Sequence, residues 1–481
     1  MTALRLMSND IHEVRGDNRH ILFHIPTTSL FELDDLGGAV LDFFRDRDRV
    51  DATALRQGFD GRFPAAEVGE TVSGFVALGI LGDADCATLP VPVVVPERHP
   101  LTNLVLNVTT GCNLGCTYCY KEDLTSPKNA TTMALDDARR SVDLLLAESG
   151  AAERVSLVFF GGEPLTNLPL IRQVVAYAEA RAEEVGKPVD FSMTTNATLL
   201  NEEIVAWLDA HKFGLTVSMD GYQDLHDRNR RTIGGKGTYN VVAANVRYLL
   251  ANYRSRPIGA RVTLTAGVVD VIGIHRHLRD ELGFFEVGFA PATSTDMAMF
   301  SLNDDETGEV FAAFRQLGRE YVDAAILGRN TGFANMRTLL KTLHEGARKA
   351  VPCGAGLGLL SVDVGGKINL CHRFTGSEMG TFGDVHDGID RAALNDFIGK
   401  AAKRTSNPEN GCSRCRVRHV CAGGCYHESH AKFGDALHPV YHVCDAIRDW
   451  VDFGIAGYAR LQRENPGFLQ RHVQFQSEFP Q

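Results

Sequence analysis

Three cysteines, Cys112, Cys116 and Cys119, lie within VLNVTTGCNLGCTYCY (Val105 to Tyr120) with C-x3-C-x2-C spacing. Soft thiolates suit iron–sulfur clusters or zinc. Three on one short loop can grip three irons of a cubane [4Fe–4S] cluster and leave the fourth iron without a protein ligand. A structural zinc would want a fourth ligand close by, and the next cysteine is Cys353. The bland alternative is a group of buried free cysteines. A second series follows downstream: Cys353, Cys371, then Cys412-x2-Cys415-x5-Cys421-x3-Cys425, then Cys444. The CxxC pair alone suits zinc or redox work, whereas the full string is far more specific. Gly423-Gly424 suits a tight turn between ligands.

Other polar residues sit where apolar runs end. Gly161, Gly162, Glu163 and Pro164 follow Val155–Phe160 directly. The glycines permit close backbone approach to a ligand, and the carboxylate can accept from an ammonium group. Thr195 and Asn196 end the next apolar run. Ser218 and Asp220, in SMDG, end the one after. Two residues apart on a strand end, they face the same way and can bind ribose hydroxyls. His226-Asp227-Arg228-Asn229-Arg230 follows, and the bland reading of the neighbouring Arg228 and Arg231 is a solvated loop charge. Gly234-Gly235-Lys236-Gly237 lacks the Walker spacing and reads as a flexible turn.

The elements that position these residues alternate in period. Strands are expected at Asn103–Val108, Val155–Phe160, Val189–Thr194, Gly214–Met219, Ala260–Thr265 and Glu286–Ala290. Helices are expected at Leu135–Glu148, Leu168–Glu184, Asn201–His211, Tyr239–Asn252 and Val271–Leu282. Such alternation implies α/β architecture with a parallel sheet. Six strands are too few for a closed eight-stranded barrel, and active sites collect at the carboxyl ends of such strands. Upstream, His20–Ile25 and Ser29–Leu33 read as strands, and Leu36–Phe44, Ala52–Gln57 and Ala65–Leu78 as helices, a small module at residues 1–88. Leu89–Pro100 is a proline-rich extended linker. Residues 301–350 read as a helical bridge, with Val310–Leu327 and Met336–Ala350. After Cys444 an apolar helical face packs, and the polar tail from Asn465 is expected to fray.

Composition sets bounds. The 481 residues carry a net charge of −11, which argues against a nucleic-acid grip and an anionic membrane surface. No apolar run approaches spanning length, and the N-terminus has no signal-peptide apolar region. Eleven cysteines without an export signal point to metal in the reducing cytoplasm.

The triplet loop resembles the radical S-adenosylmethionine (SAM) signature. The resemblance extends to GGEP at Gly161–Pro164, to TNGTLL at Thr195–Leu200 (with Ala197 in place of its glycine), to SxDG and to HDxxR. It implies a partial (β/α)6 barrel over 101–300, in which the open iron chelates SAM. One electron then cleaves SAM to methionine and a 5′-deoxyadenosyl radical that abstracts hydrogen from substrate. It further implies Tyr118 beside the adenine, Glu163 on the SAM amino group and Arg230 on its carboxylate. Asn196, Ser218 and Asp220 complete the implied contacts. The downstream string resembles the SPASM domain, here 351–465, with two auxiliary [4Fe–4S] clusters and so three in all. Carried over, Cys412, Cys415, Cys421 and Cys444 bind the outer cluster, and Cys353, Cys371 and Cys425 the inner one. That leaves one inner position short of a cysteine. Cys86, His372 or an open iron that takes a substrate thiol are the alternatives. The N-terminal module resembles PqqD-like winged-helix elements that hold leader peptides as an added strand.

SPASM enzymes mostly modify ribosomally made peptides or proteins. Sulfatase-maturing enzymes place an aspartate base after the cysteine matching Cys371, where this chain has His372. Thioether-forming maturases, including SCIFF-type ones, tolerate histidine there, which makes His372 a candidate catalytic residue. HPLTNLVLNVTTGCNLGCTYCYKEDL looks most like the maturases of quinohemoprotein amine dehydrogenase. That resemblance implies sulfur-to-carbon crosslinks to aspartate and glutamate in the dehydrogenase γ subunit, with a flavodoxin or ferredoxin as electron donor. A metal-cluster scaffold that binds a partner without chemistry is the competing class.

Overall fold

The computed structural model describes residues 3–16, 19–85, 98–293, 299–346 and 348–473. The core is an eight-stranded sheet. Six parallel strands pair in sequence order: Asn103–Asn107, Val155–Phe160, Val189–Thr195, Gly214–Ser218, Ile258–Leu264 and Glu286–Pro291. Helices Leu135–Glu148, Leu168–Val185, Glu202–Ala210, Tyr239–Asn252 and Val271–Arg276 connect them. This is the expected partial (β/α)6 barrel. On Ile258–Leu264, alternate residues Ala260, Val262 and Leu264 are buried against the helices while Arg261 faces the other way, as a period of two requires.

Local signals fix the helix ends. The Asn201 side chain accepts from the Ile204 amide, and Gly186 closes Leu168–Val185 at φ 66°, a left-handed conformation that glycine adopts freely. Val271–Arg276 continues not as α-helix to Leu282 but as a π-helical turn, His277–Glu281. The stretch expected as a loop after SMDG contains a short helix, Gln223–Asn229.

Two strands of the main sheet escaped the sequence reading. Leu359–Val362 pairs in parallel with Asn103–Asn107, and Ile368–Asn369 pairs antiparallel with Leu359–Val362. The cysteine-rich region is therefore hydrogen-bonded into the barrel sheet, beside the strand that carries the first cysteine loop. Helix Asp304–Ile326, opened by a capping box of Asn303 and Glu306, packs with Ala334–Glu345 against Cys444–Glu464.

The N-terminal module has a three-stranded antiparallel sheet in the order Ile11–Gly16, Arg19–His24, Ser29–Glu32. Helices Asp35–Arg45, Ala52–Phe59 and Ala65–Ala77 follow. Its middle strand serves two cores. Leu22 joins Leu36, Val40 and Phe44 in a small local core. Ile21, Phe23 and Ile25 join the main core. His12 reaches Asp452 at 2.9 Å, and Arg418 reaches Asp10 at 2.9 Å.

The tail does not fray at Asn465. Helix Gly467–Val473 follows, with Phe468 and Leu469 buried and the Asn465 amide capping the Ala325 and Ile326 carbonyls. Two apolar residues in a polar stretch suffice to dock it. Cys86 and most of the Leu89–Pro100 linker lie outside the described residues. Among the described residues no helix is long and apolar enough to cross a membrane.

Candidate functional site

The cysteine triplet, GGEP, Thr195–Asn196 and SMDG follow the carboxyl ends of barrel strands, and the loops there hold one another. The two glycines after Val155–Phe160 pack on the first cysteine loop. Gly161 has φ 138°, and a Cβ there would sit 2.4 Å from the Thr109 carbonyl oxygen. At Gly162 a Cβ would sit 2.2 Å from the Gly111 carbonyl oxygen and 2.9 Å from the Cys112 nitrogen. The close approach that requires glycine is thus to the cluster loop's own backbone. The Gly162 amide donates to Thr109 and the Glu163 amide to Gly111, at 3.0 and 2.8 Å. Gly162→Ala is expected to displace the loop, cost about 1–3 kcal/mol, and lower iron retention, read by thermal unfolding and iron analysis.

The Glu163 carboxylate is buried and accepts from the Thr195 hydroxyl (2.7 Å), the Asn196 amide (2.7 Å) and the Leu165 amide (3.2 Å). It ties the second strand end to the third. Burial raises its pKa, against those hydrogen bonds. Asn196 donates to Asn113 at 2.9 Å, and Asn113 donates to Thr198 at 2.7 Å, so the third strand end grips the cysteine loop too. Ala197 adopts φ 61°, the left-handed turn for which glycine would be easier. Thr117 bonds Asn229 through both backbone and side chain, and the Gly115 amide donates to Arg231.

Tyr118, Asp220 and Arg230 form one buried cluster. The Tyr118 hydroxyl donates to Asp220 Oδ2 at 2.5 Å and accepts from Arg230 at 2.6 Å. The Thr263 amide donates to Asp220 Oδ1 at 3.0 Å. Arg230 Nε is buried without a partner. Tyr118 belongs to the cysteine loop, so its bond from Arg230 places the guanidinium beside that loop. Arg230 is buried beside the cysteine loop, and its unpaired donor fits an anionic group bound there. His226 pairs with Thr238 at 3.0 Å, and burial pushes its pKa down to about 3. Ser218 is half-buried, opposite Arg261 in the strand register.

The cysteines fall into three groups. Cys112, Cys116 and Cys119 raise one another's pKa, and burial, the larger cause, pushes Cys112 up to about 12. Cys353, Cys371 and Cys425 form the second group, with Cys371 also pushed up to about 12 by burial. Cys412, Cys415, Cys421 and Cys444 form the third and line one cavity of about 610 Å³. A bound metal centre supplies the charge that ionises coordinating thiols. Among the described residues no three His, Cys, Asp or Glu side chains converge as a single metal ion requires. Thiolate donor sets of this kind suit iron–sulfur clusters or zinc. Between Cys421 and Cys425, Ala422, Gly423 and Gly424 all have positive φ (51°, 87°, 84°) and make the sharp turn.

His372 stacks near Phe160, centroids 4.5 Å apart. Its Nδ1 is buried without a partner, and burial, with Arg373, Lys121 and His427, pushes its pKa down to about 3. It is a neutral imidazole beside Cys371. Three residues went unmarked in the sequence. Buried Lys121 reaches Thr375 at 2.7 Å and Asp123 at 3.1 Å. Arg373 stacks over Tyr120, 4.7 Å from its centroid, and Arg261 lines the cavity. Only the strand alternation could have marked Arg261 as turned away from the helices.

Residues 106–270 match the model of the radical SAM superfamily. An uncharacterised protein of Methanocaldococcus jannaschii is 30% identical over 165 residues, 34% of this chain and 54% of its own length. This chain thus spans about half of that relative. The serine-type anaerobic sulfatase-maturating enzyme of Klebsiella aerogenes is 24% identical over 70% of this chain and 82% of its own. Among solved structures, anSMEcpe with bound AdoMet and Cp18Cys peptide superposes with a TM-score of 0.64 at 21% identity, covering 76% of this chain and 99% of its own. Streptococcus suis SuiB bound to precursor peptide SuiA gives 0.51 at 17%, covering 92% and 99%. The fold is the fold of these radical SAM structures, and its central segment, residues 106–270, is similar to the radical SAM superfamily. A sulfatase-maturating enzyme and a SuiB–precursor peptide complex are thus among the proteins it is similar to.

Proposed function

We propose that this chain is a peptide maturase that joins cysteine sulfur to aspartate or glutamate carbon in a ribosomally made polypeptide, the γ subunit of quinohemoprotein amine dehydrogenase. The observation that carries the maturase reading is the grouping of thiols, three, three and four, around one continuous sheet. A sulfatase-maturating relative and two neighbours with peptides bound support a polypeptide substrate. The sequence around the signature supports the thioether reading and its γ-subunit substrate.

When bound, SAM and its cluster supply the radical that removes a hydrogen atom from substrate carbon. Cys112, Cys116 and Cys119 hold that cluster. Arg230 and Glu163 orient SAM, and Asp220 and Tyr118 enclose it on the strand-end side. Cys412, Cys415, Cys421 and Cys444 hold the outer auxiliary cluster, and Cys353, Cys371 and Cys425 the inner one. Each crosslink removes one hydrogen atom from carbon and one thiol proton, and one surplus electron leaves to an acceptor. Residues 1–88 receive the leader segment, and a flavodoxin or ferredoxin delivers the starting electron.

A second reading, sulfatase maturation, is favoured by the Klebsiella relative. It lacks its aspartate base here, because the position holds His372. Mass spectrometry of the γ subunit after reaction separates the two. The expected result is a loss of two hydrogens per crosslink, with the joined cysteines no longer alkylated by iodoacetamide. An unchanged γ subunit, or one whose cysteines all alkylate, overturns the thioether reading.

A further inference from the structure

Arg230 stands one residue beyond the short helix Gln223–Asn229, with φ −99° and ψ 80°, at a place where helix ends leave carbonyls without partners. Both of its backbone polar groups are nevertheless held. The Arg230 amide donates to the His226 carbonyl at 2.9 Å. The Arg230 carbonyl accepts from the Thr238 hydroxyl at 2.6 Å. The same hydroxyl lies 3.0 Å from His226 Nε2. A carbonyl only accepts, so the single hydroxyl proton is committed to Arg230, and the hydroxyl oxygen accepts from the ring. The imidazole therefore carries a hydrogen on Nε2. Its Nδ1 faces the Asp220 amide, itself a donor, at 3.5 Å, which suits a ring nitrogen without hydrogen. His226, Thr238, Asp220 and Arg230 are all buried.

Thr238 is in turn held from behind. Its amide and that of Tyr239 both donate to the Asp227 carboxylate, at 2.7 and 2.8 Å, where helix Tyr239–Asn252 begins. Between Arg230 and Thr238 the chain makes an excursion through residues 231–237, closed at its neck by a bridge between Arg231 and Gly237. A Cβ on Gly237 would lie 2.3 Å from Asp227 Oδ2, so glycine there lets the returning chain reach the carboxylate. The glycine-rich turn thus delivers Thr238 to the Arg230 carbonyl. At the far end of the Arg230 side chain, Nη1 donates to Tyr118, and Nε has no partner. A guanidinium is a rigid fork whose aim depends on where its backbone is fixed, and small misplacements weaken binding and catalysis. We propose that His226 and Thr238 are positioning residues that hold the backbone of Arg230 so that its guanidinium meets the carboxylate of SAM. The proposal deepens the reading above and rests on it for the ligand being SAM. Both residues act through Arg230 and take no part in bond changes.

The competing role for the same pair is to join two helix ends with no bearing on the ligand. Anaerobic equilibrium dialysis of two probes against the reconstituted full-length enzyme separates the roles. S-adenosylhomocysteine carries the amino-acid carboxylate, and 5′-methylthioadenosine keeps the nucleoside thioether without it. Thr238→Val removes the hydroxyl at nearly the same shape. It is expected to weaken S-adenosylhomocysteine about tenfold and methylthioadenosine by less than about twofold. Thr238→Ser keeps the hydroxyl and is expected to bind both probes as the wild type does. His226→Leu removes only the donor to Thr238 and is expected to lose about threefold for S-adenosylhomocysteine alone. His226→Gln, whose amide can donate, is expected to recover it. In an Arg230→Gln background Thr238→Val is expected to cost nothing further, because residues that act as one unit are not additive. Equal losses for both probes, a full additional loss in the Arg230→Gln background, or Thr238→Ser as weak as Thr238→Val would each overturn the role. If Thr238→Val does not fold, the two His226 variants read the same ratio. Wild-type enzyme that binds the two probes equally removes the SAM reading of Arg230, and this role with it. A wild-type preference for S-adenosylhomocysteine that stays intact in Thr238→Val and His226→Leu removes this role alone.

Discussion

Enzyme in which Cys112, Cys116 and Cys119 are all replaced by alanine is expected to release no 5′-deoxyadenosine above background, while retaining about two-thirds of its iron. The loop offers no substitute ligand. Gly111 and Gly115 flank the first two cysteines, and the nearby carboxylates are committed, Glu163 to three internal donors and Asp220 to Tyr118 and Thr263. The substitution leaves the other two groups intact, because Cys371 and Cys412 stand on separate loops. The loop's backbone ties do not use the thiols: Cys112 donates its amide to Thr125, and Gly115 to Arg231. Folding should therefore survive. The measurement is anaerobic reductive cleavage of SAM by chromatography, with iron analysis and cluster spectra on the same sample. Undiminished 5′-deoxyadenosine would sink the assignment of the triplet. Loss of all the iron would show that the three groups do not load independently.

The barrel was legible because its signals are local and periodic. Leu135–Glu148 and Tyr239–Asn252 begin and end where the 3.6-residue pattern says. Elements defined by a distant partner were not. Leu359–Val362 is four residues long among glycines, and its identity as a strand depends on Asn103–Asn107, some 250 residues earlier. Ile11–Gly16 reads IHEVRG, with His12, Glu13 and Arg15 diluting any apolar alternation. The same limit applies at the site. The barrel motifs mark strand ends, but that Tyr118, Asp220 and Arg230 join in one buried cluster follows from the first and fourth barrel strands converging. Glycine's reason was half-read: Gly161 and Gly162 do permit a close approach, and the partner is the chain's own loop.

The N-terminal module cannot be tested by removal, because Ile21, Phe23 and Ile25 belong to the main core. Truncation at residue 85 would strip that core of three buried side chains, each worth about 1.5–3 kcal/mol. A change on the sheet edge is cleaner. One edge strand, Ile11–Gly16, lies against helix Cys444–Glu464. The other, Ser29–Glu32, has no strand beyond it among the described residues. The Leu33 amide donates inward to His20, so strand alternation turns the Phe31 amide inward and the Leu30 and Glu32 amides outward. Glu32 is exposed and in no core. Proline there removes one outward donor, leaves the inner ladder whole, and suits an extended edge position. If the leader segment binds as an added strand, Glu32→Pro is expected to weaken leader-peptide binding about tenfold or more, the worth of a main-chain hydrogen bond plus a clash with the incoming strand. Thermal stability and uncoupled SAM cleavage are expected to stay near the wild-type values. Glu32→Ala, which keeps the amide, is expected to bind normally. Fluorescence anisotropy with a labelled leader peptide reads all three proteins. Equal affinity for Glu32→Pro and wild type would show that the leader does not pair with this edge, and the module would then be a cap on the barrel.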